Sequence, residues 1–187
     1  MVQLIDPVQV AQNAIHEARR YCSETHQISA PQVQLVCKDP NLSTTYVPAH
    51  LHRVLFELLT NSLTATIKNK KDASVRLTLV KGAEDVTIKL SDEGGGISAR
   101  EMQRAWRYHS NPEHHSLLDH DEDDAQVESD SKRGLRFARL LARYFGGDLA
   151  LISMEGYGTD AFLSLSRDDA VTENYPFPQA LTEPRHY

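Results

Sequence analysis

Residues 48–69 set the strongest limit on how this chain can fold. Leu51, Leu55, Leu58, Leu59, Ser62, Leu63 and Thr66 recur at steps of three and four, the period of one face of an α-helix. Pro48 suits the first turn, where a missing N–H leaves no intrahelical bond unmade. A helix of that length with a single apolar stripe must bury the stripe against other elements. The next segment supplies a surface for it. Val75, Leu77 and Leu79 alternate with polar residues, as do Val86, Ile88 and Leu90, and Lys81-Gly82-Ala83-Glu84-Asp85 reads as the turn between them. Alternation predicts a hairpin with one buried face.

The remaining elements follow from similar signals. Asp6 can cap a helix opened by Pro7, and Val8, Ala11, Ile15, Ala18 and Cys22 carry its apolar stripe through residues 7–25. Residues 32–38 read as a short strand. Ser98 and Glu101 form a capping box for a third helix reaching about Tyr108. Residues 109–133 are rich in His, Asp, Glu and Ser without an apolar period, which predicts a long exposed loop. Leu135, Ala138, Leu141, Ala142 and Phe145 give a fourth helix, ended by Gly146-Gly147. Residues 149–153 and 161–165 are two more strands, joined by Glu155-Gly156-Tyr157-Gly158. Residues 168–187, with Pro176, Pro178 and Pro184, read as an extended tail. The elements do not alternate strictly as βαβ. The expectation is therefore an α+β domain over residues 1–167, with helices on one face of a mixed sheet.

Composition narrows the function classes. The chain has 187 residues, 40% hydrophobic and 25% charged, which fits one globular domain. A formal net charge of −6 argues against a nucleic-acid surface. No apolar run approaches the length that spans a bilayer. Cys22 and Cys37 lack metal-ligand spacing and companions, so neither a disulfide framework nor a structural zinc site is expected. Residues 1–7 have no basic or apolar leader, and no Arg- and Ser-rich amphipathic start.

Two stretches carry chemistry. On a helical wheel at about 100° per residue, His50, Glu57, Asn61, Thr64 and Lys68 fall within a narrow sector, bordered by Arg53. A carboxylate and an amide one turn apart suit a metal-triphosphate site. The amide oxygen can ligate Mg²⁺, and the carboxylate can orient or deprotonate a nucleophile. Taken alone, the same sector also reads as a solvated helix face. The second stretch is Ser91-Asp92-Glu93-Gly94-Gly95-Gly96-Ile97, between a strand and a capped helix. Its glycines allow a ligand to approach the backbone closely, and Asp92 can accept a hydrogen bond from an amine such as adenine N6. Alone it is equally a flexible turn, and it matches neither G-x-G-x-x-G nor a Walker loop. Gly156-Tyr157-Gly158-Thr159-Asp160 is by itself a good hairpin turn. His109, His114, His115 and His120 among acidic residues match no closed metal site, and Trp106 reads as packing.

Taken together and in this order, the motifs resemble those of the GHKL ATPases, and most of all the kinases of pyruvate and branched-chain ketoacid dehydrogenase. Tyr46-Val47-Pro48-Ala49-His50-Leu51, Leu55-Phe56-Glu57-Leu58, Asn61 and Ala65-Thr66 look like that family's N box. Ser91-Asp92 with Gly94-Gly95-Gly96 looks like its G1 box. Arg143-Tyr144-Phe145, Gly147-Asp148-Leu149, Ser153-Met154-Glu155-Gly156 and Gly158-Thr159-Asp160 look like its C-terminal signature. The likeness runs from about Asp6 to Arg167.

The resemblance implies the Bergerat two-layer α/β sandwich, with ATP and Mg²⁺ as cofactors. It makes Glu57 the general base, Asn61 the Mg²⁺ ligand and Asp92 the adenine contact. Gly94 and Gly96 would shape the adenine pocket, and Thr159 would support Asp92. Ala65, Ile97 and Ser110 join the nucleotide contacts, as do Lys132, Arg133, Gly134 and Leu135 at the end of a lid over residues 109–133. It further implies a serine of a 2-oxoacid dehydrogenase E1 component as protein substrate and the mitochondrial matrix as location, and it leaves a homodimer open.

The sequence also departs from the family. At the lid's end only Gly134 remains of three alternating glycines, with Lys132 and Arg133 in the same stretch. Arg53 stands where the family has a His, and Thr60 where it has a Lys. The family's N-terminal helical-bundle domain is not part of this sequence. Two readings follow: a protein kinase domain with an unusual lid, which is preferred, or a pseudokinase kept as a binding module.

Overall fold

Asp6 caps the first long helix, accepting hydrogen bonds from the backbone N–H groups of Val8 and Gln9 at 2.8 and 3.3 Å. The computed structural model describes residues 1–39, 41–69, 73–106 and 134–166. Within them, the first helix is α1 (Pro7–His26) and the second is α2 (Pro48–Lys68). Each opens with a proline, as the sequence predicts. Ala11, Ala14, Ala18 and Cys22 of α1 are fully buried. Small residues there let α1 pack closely along α2.

Five strands form one sheet: β2 (Val33–Cys37), β4 (Val75–Lys81), β5 (Asp85–Asp92), β6 (Asp148–Met154) and β7 (Gly158–Ser166). Their order across the sheet is β2-β4-β5-β7-β6. β2 runs parallel to β4, and every other pair is antiparallel, so the sheet is mixed. Val75, Leu77, Leu79, Val86, Ile88, Leu90, Ala161, Leu163 and Leu165 all point to one buried face. The leucines of α2 cover that face, together with Leu135, Ala138 and Ala142 of α4 (134–144). The fold is thus the α+β two-layer arrangement expected.

Some details depart from the sequence reading. Two short strands, β1 (Gln3–Ile5) and β3 (Thr44–Tyr46), pair into a separate two-stranded sheet that the sequence reading did not find. The strands from β4 onward run longer than predicted, because their ladders continue past the apolar alternation, whereas β2 (Val33–Cys37) is one residue shorter at each end than the predicted 32–38. β5 extends to Asp92 and β7 starts at Gly158. α3 (Ala99–Trp106) has the predicted capping box: Ser98 N–H and Oγ donate to Glu101 Oε2, and Glu101 N–H donates back to Ser98 Oγ. The predicted end of this helix at Tyr108, the loop at 109–133 and the tail at 168–187 lie outside the described residues.

Candidate active site

Residue pairing at the sheet's end builds the site. Asp92 is the last residue of β5 and stands opposite Thr159 of β7. Its side chain is only 8% exposed. Ser62 of α2 donates its hydroxyl to Asp92 Oδ2 at 2.7 Å. Gly94 N–H and Thr159 N–H donate to Oδ1 at 2.9 and 3.3 Å. Burial pushes the carboxyl's pKa up, and these three donors act against that push without cancelling it.

The glycine loop is fastened from both sides. Asn69 at the end of α2 donates its side-chain amide to Gly94 carbonyl. Gly95 N–H donates to Tyr157 carbonyl at 3.1 Å, and Gly156 N–H returns a bond to Gly95 carbonyl at 2.7 Å. Ile97 N–H donates to Ser153 Oγ at 2.7 Å, and that hydroxyl lies 2.9 Å from Thr159 Oγ1. Gly96 has φ +71°, and a Cβ there would stand 2.1 Å from Met154 carbonyl oxygen. No other residue type fits such a crossing of loop and hairpin.

Between this loop, α2 and α3 lies a cavity of about 290 Å³. Asn61, Ala65, Asp92, Gly96, Ile97, Leu135 and Thr159 line it, so seven of the residues singled out in the sequence meet in one place. Leu58, Ser62, Thr64, Lys68, Glu101, Ala105, Leu151 and Ala161 line it too. Thr64 and Lys68 were already visible in the polar sector of the wheel. Ser62 was read as part of the apolar stripe. Its signal was a hydroxyl among leucines, and burial turns that hydroxyl toward Asp92. Apolar walls with one buried carboxylate suit a flat, amine-bearing heterocycle.

Glu57 is placed differently. It is not among the residues lining the cavity. Arg53, one turn earlier on α2, reaches Glu57 Oε1 at 2.5 Å. The other oxygen faces Gly134 of α4, where a Cβ would come within 2.0 Å of it. Desolvation raises the Glu57 pKa and the Arg53 charge opposes that. Ser110, Lys132 and Arg133 lie outside the described residues. Among the described residues no group of three or more His, Cys, Asp or Glu side chains could hold a metal. An ion here would need the Asn61 oxygen together with oxygens of a bound phosphate, which is how Mg²⁺ is commonly held.

The description "Histidine kinase-, DNA gyrase B-, and HSP90-like ATPase" matches residues 46–169 of the chain. The chain belongs to this ATPase family. The matched span includes the whole of α2, the glycine loop and the β6–β7 hairpin. ATP is the nucleotide such ATPases use. Among relatives of this chain, a mitochondrial pyruvate dehydrogenase (acetyl-transferring) kinase of Schizosaccharomyces pombe is 41% identical over 170 residues, covering 85% of this chain and 40% of the relative. That of Arabidopsis thaliana is 43% identical over 172 residues, covering 87% and 46%. Isozyme 4 of Homo sapiens is 35% identical over 169 residues, covering 86% and 40%. The chain thus spans less than half the length of these relatives. Among the described residues no helix is long and apolar enough to cross a membrane.

Proposed function

We propose that this chain is the ATP-binding domain of a protein-serine kinase acting on the E1 component of a 2-oxoacid dehydrogenase, in the mitochondrial matrix. Supporting this reading are the names of the relatives, which are pyruvate dehydrogenase kinases called mitochondrial. The observation that carries it is the buried Asp92 carboxylate at the floor of a cavity bounded by Asn61 and the glycine loop.

In this reading Asp92 accepts a hydrogen bond from the adenine amine, and its three donors fix its orientation. Ile97, Ala105 and Leu151 exclude water from the base. Gly94 and Gly96 keep the loop backbone close, and Thr159 holds Asp92 in register. Asn61 offers its amide oxygen to Mg²⁺, which when bound neutralises charge on the phosphates. Glu57 takes the proton from the acceptor serine hydroxyl as that oxygen bonds to the terminal phosphorus and the bond from that phosphorus to the β–γ bridging oxygen breaks, leaving ADP. Its raised pKa makes it a better base than a solvent-exposed carboxylate. Gly134 and Leu135 contact the phosphate side of the nucleotide, and the family likeness assigns Ser110, Lys132 and Arg133 nucleotide contacts as well.

The pseudokinase reading rests on the missing lid glycines and on Arg53 in place of the family's His, and the pyruvate dehydrogenase kinase relatives weigh against it. The experiment is calorimetric titration of MgATP, together with transfer of labelled phosphate to purified E1. Asn61→Ala should weaken MgATP binding and matter less for nucleotide in EDTA. Glu57→Gln should keep MgATP affinity within a few-fold while lowering transfer by about 10²-fold or more. Tight MgATP binding by the unaltered chain with no transfer to E1 would refute the kinase reading.

A further inference from the structure

Resting on the phosphotransferase reading, we propose that Arg53 contacts the terminal phosphate of the nucleotide and gives the site its preference for a triphosphate over a diphosphate. Three observations on α2 lead there.

The first is how Arg53 is held. One nitrogen of its guanidinium touches Glu57 at 2.5 Å, yet 56% of the side chain is exposed, against 12% for Glu57. A guanidinium has five donors in a planar fork. Glu57 occupies one edge, and the rest remain available to a ligand. An ion pair serving stability alone would gain little from this degree of exposure.

The second is distance. A general base must come within about 2.6–3.2 Å of the hydroxyl it deprotonates. That oxygen must stand about 3–3.5 Å from the phosphorus it attacks. A guanidinium already touching the general base is therefore within three contact lengths of the transferring phosphorus, and closer to that group's oxygens. The order along the helix agrees. Asn61, Glu57 and Arg53 follow one another at about 6 Å per step, running away from the Asp92 end of the cavity. The phosphate farthest from the adenine falls at the Arg53 end.

The third is the anion now in that place. Glu57 Oε2 sits against Gly134 of α4 while Oε1 sits on Arg53. A carboxylate held by an arginine marks a position suited to negative charge. A terminal phosphate arriving there meets the Glu57 charge, and a fixed positive charge beside it offsets the repulsion. Arginine supplies that charge at any physiological pH, and its fork matches two phosphate oxygens.

The test is calorimetric affinity for MgATP and MgADP in the unaltered chain, in Arg53→Ala and Arg53→Gln, and in each of these with Glu57→Gln. Arg53→Gln guards against a folding defect in the smaller side chain, and melting temperature checks both. The expected result is a loss of MgATP affinity of about tenfold or more, with MgADP affinity within twofold. The same ATP-selective loss should persist in the Glu57→Gln background, and Arg53→Lys should recover part of it. Equal losses for both nucleotides, or no loss, would overturn the proposal. So would a loss that vanishes once Glu57 is Gln, since Arg53 would then only offset that carboxylate. If the unaltered chain binds neither nucleotide, the phosphotransferase reading itself fails. If it binds both and Arg53→Ala shows no selectivity, this inference alone fails.

Discussion

Replacing Asp92 by Asn separates what that side chain does for the fold from what it does for a ligand. The two side chains have the same shape. The Asn oxygen can keep the N–H groups of Gly94 and Thr159, which now donate at 2.9 and 3.3 Å. Its NH₂ can donate to Ser62 Oγ, now 2.7 Å away, with the hydroxyl turning from donor to acceptor. The two N–H groups and the Ser62 oxygen thus keep a partner at this position. The ionised carboxylate, by contrast, is held in a buried place that raises its pKa above the ordinary 3.8. A raised carboxyl pKa gives stability that is full below 3.8 and is lost as pH rises through the folded value. At pH 7 the charge is therefore a net cost, and Asp92→Asn should melt at the same temperature or higher. That advantage should shrink as pH falls and the natural side chain takes up its proton. Nucleotide binding should move the other way. An adenine amine facing the carboxylate would face an NH₂ instead. Losing a hydrogen bond to a charged group costs about 1.5–3 kcal/mol, or roughly 10- to 100-fold in affinity for MgADP. Scanning calorimetry across pH and titration calorimetry at pH 7 read the two effects. Unchanged MgADP affinity would remove Asp92 from the site. A melting temperature lowered by more than a few degrees at pH 7 would refute the view that its charge costs stability.

Two further outcomes bear on the fold. Gly96→Ala puts a side chain at φ +71° with its Cβ 2.1 Å from the Met154 carbonyl oxygen, a backbone atom that cannot step aside. The left-handed conformation alone costs about 1–2 kcal/mol, so a fall of several degrees in melting temperature is expected, and an unchanged value would mean that loop and hairpin are not fastened there. Asp148 has its pKa held down to about 2, chiefly by the hydrogen bond from Arg143 at 2.8 Å. A depressed carboxyl pKa gives stability present above the ordinary 3.8 and lost as pH falls through about 2, so Arg143→Gln should lower the melting temperature most above pH 4 and least near pH 2. A gap that widens in acid would contradict the assignment.

The sequence made the long elements legible because their periods are long enough to read. α1, α2 and the β4–β5 hairpin announce themselves through repeated apolar positions, and the capped start of α3 through Ser98 and Glu101. β1 and β3 span three residues each, too few to show alternation, and their pairing is set by where α1 and α2 enter the core. At the site, the wheel gave the direction of Asn61, Thr64 and Lys68 but not the depth of each. Glu57 points the same way, yet it turns to Arg53 and Gly134 and does not line the cavity. Ser62 was hidden for the opposite reason. Its place in the stripe is right, and only the three-dimensional position of Asp92 gives its hydroxyl a task.

The strand order has a consequence during synthesis. β5 is flanked by β4 on one side and by β7 on the other, and β7 is the last strand of the sheet to leave the ribosome. Until it does, β5 is an open edge, its backbone unpaired beside Val86, Ile88 and Leu90. Such an edge invites pairing with another nascent chain. Asp92 likewise lacks the Thr159 donor until the final hairpin closes. Chains stalled before residue 158 should therefore aggregate and bind no nucleotide, and completion of β7 should turn on solubility and binding together.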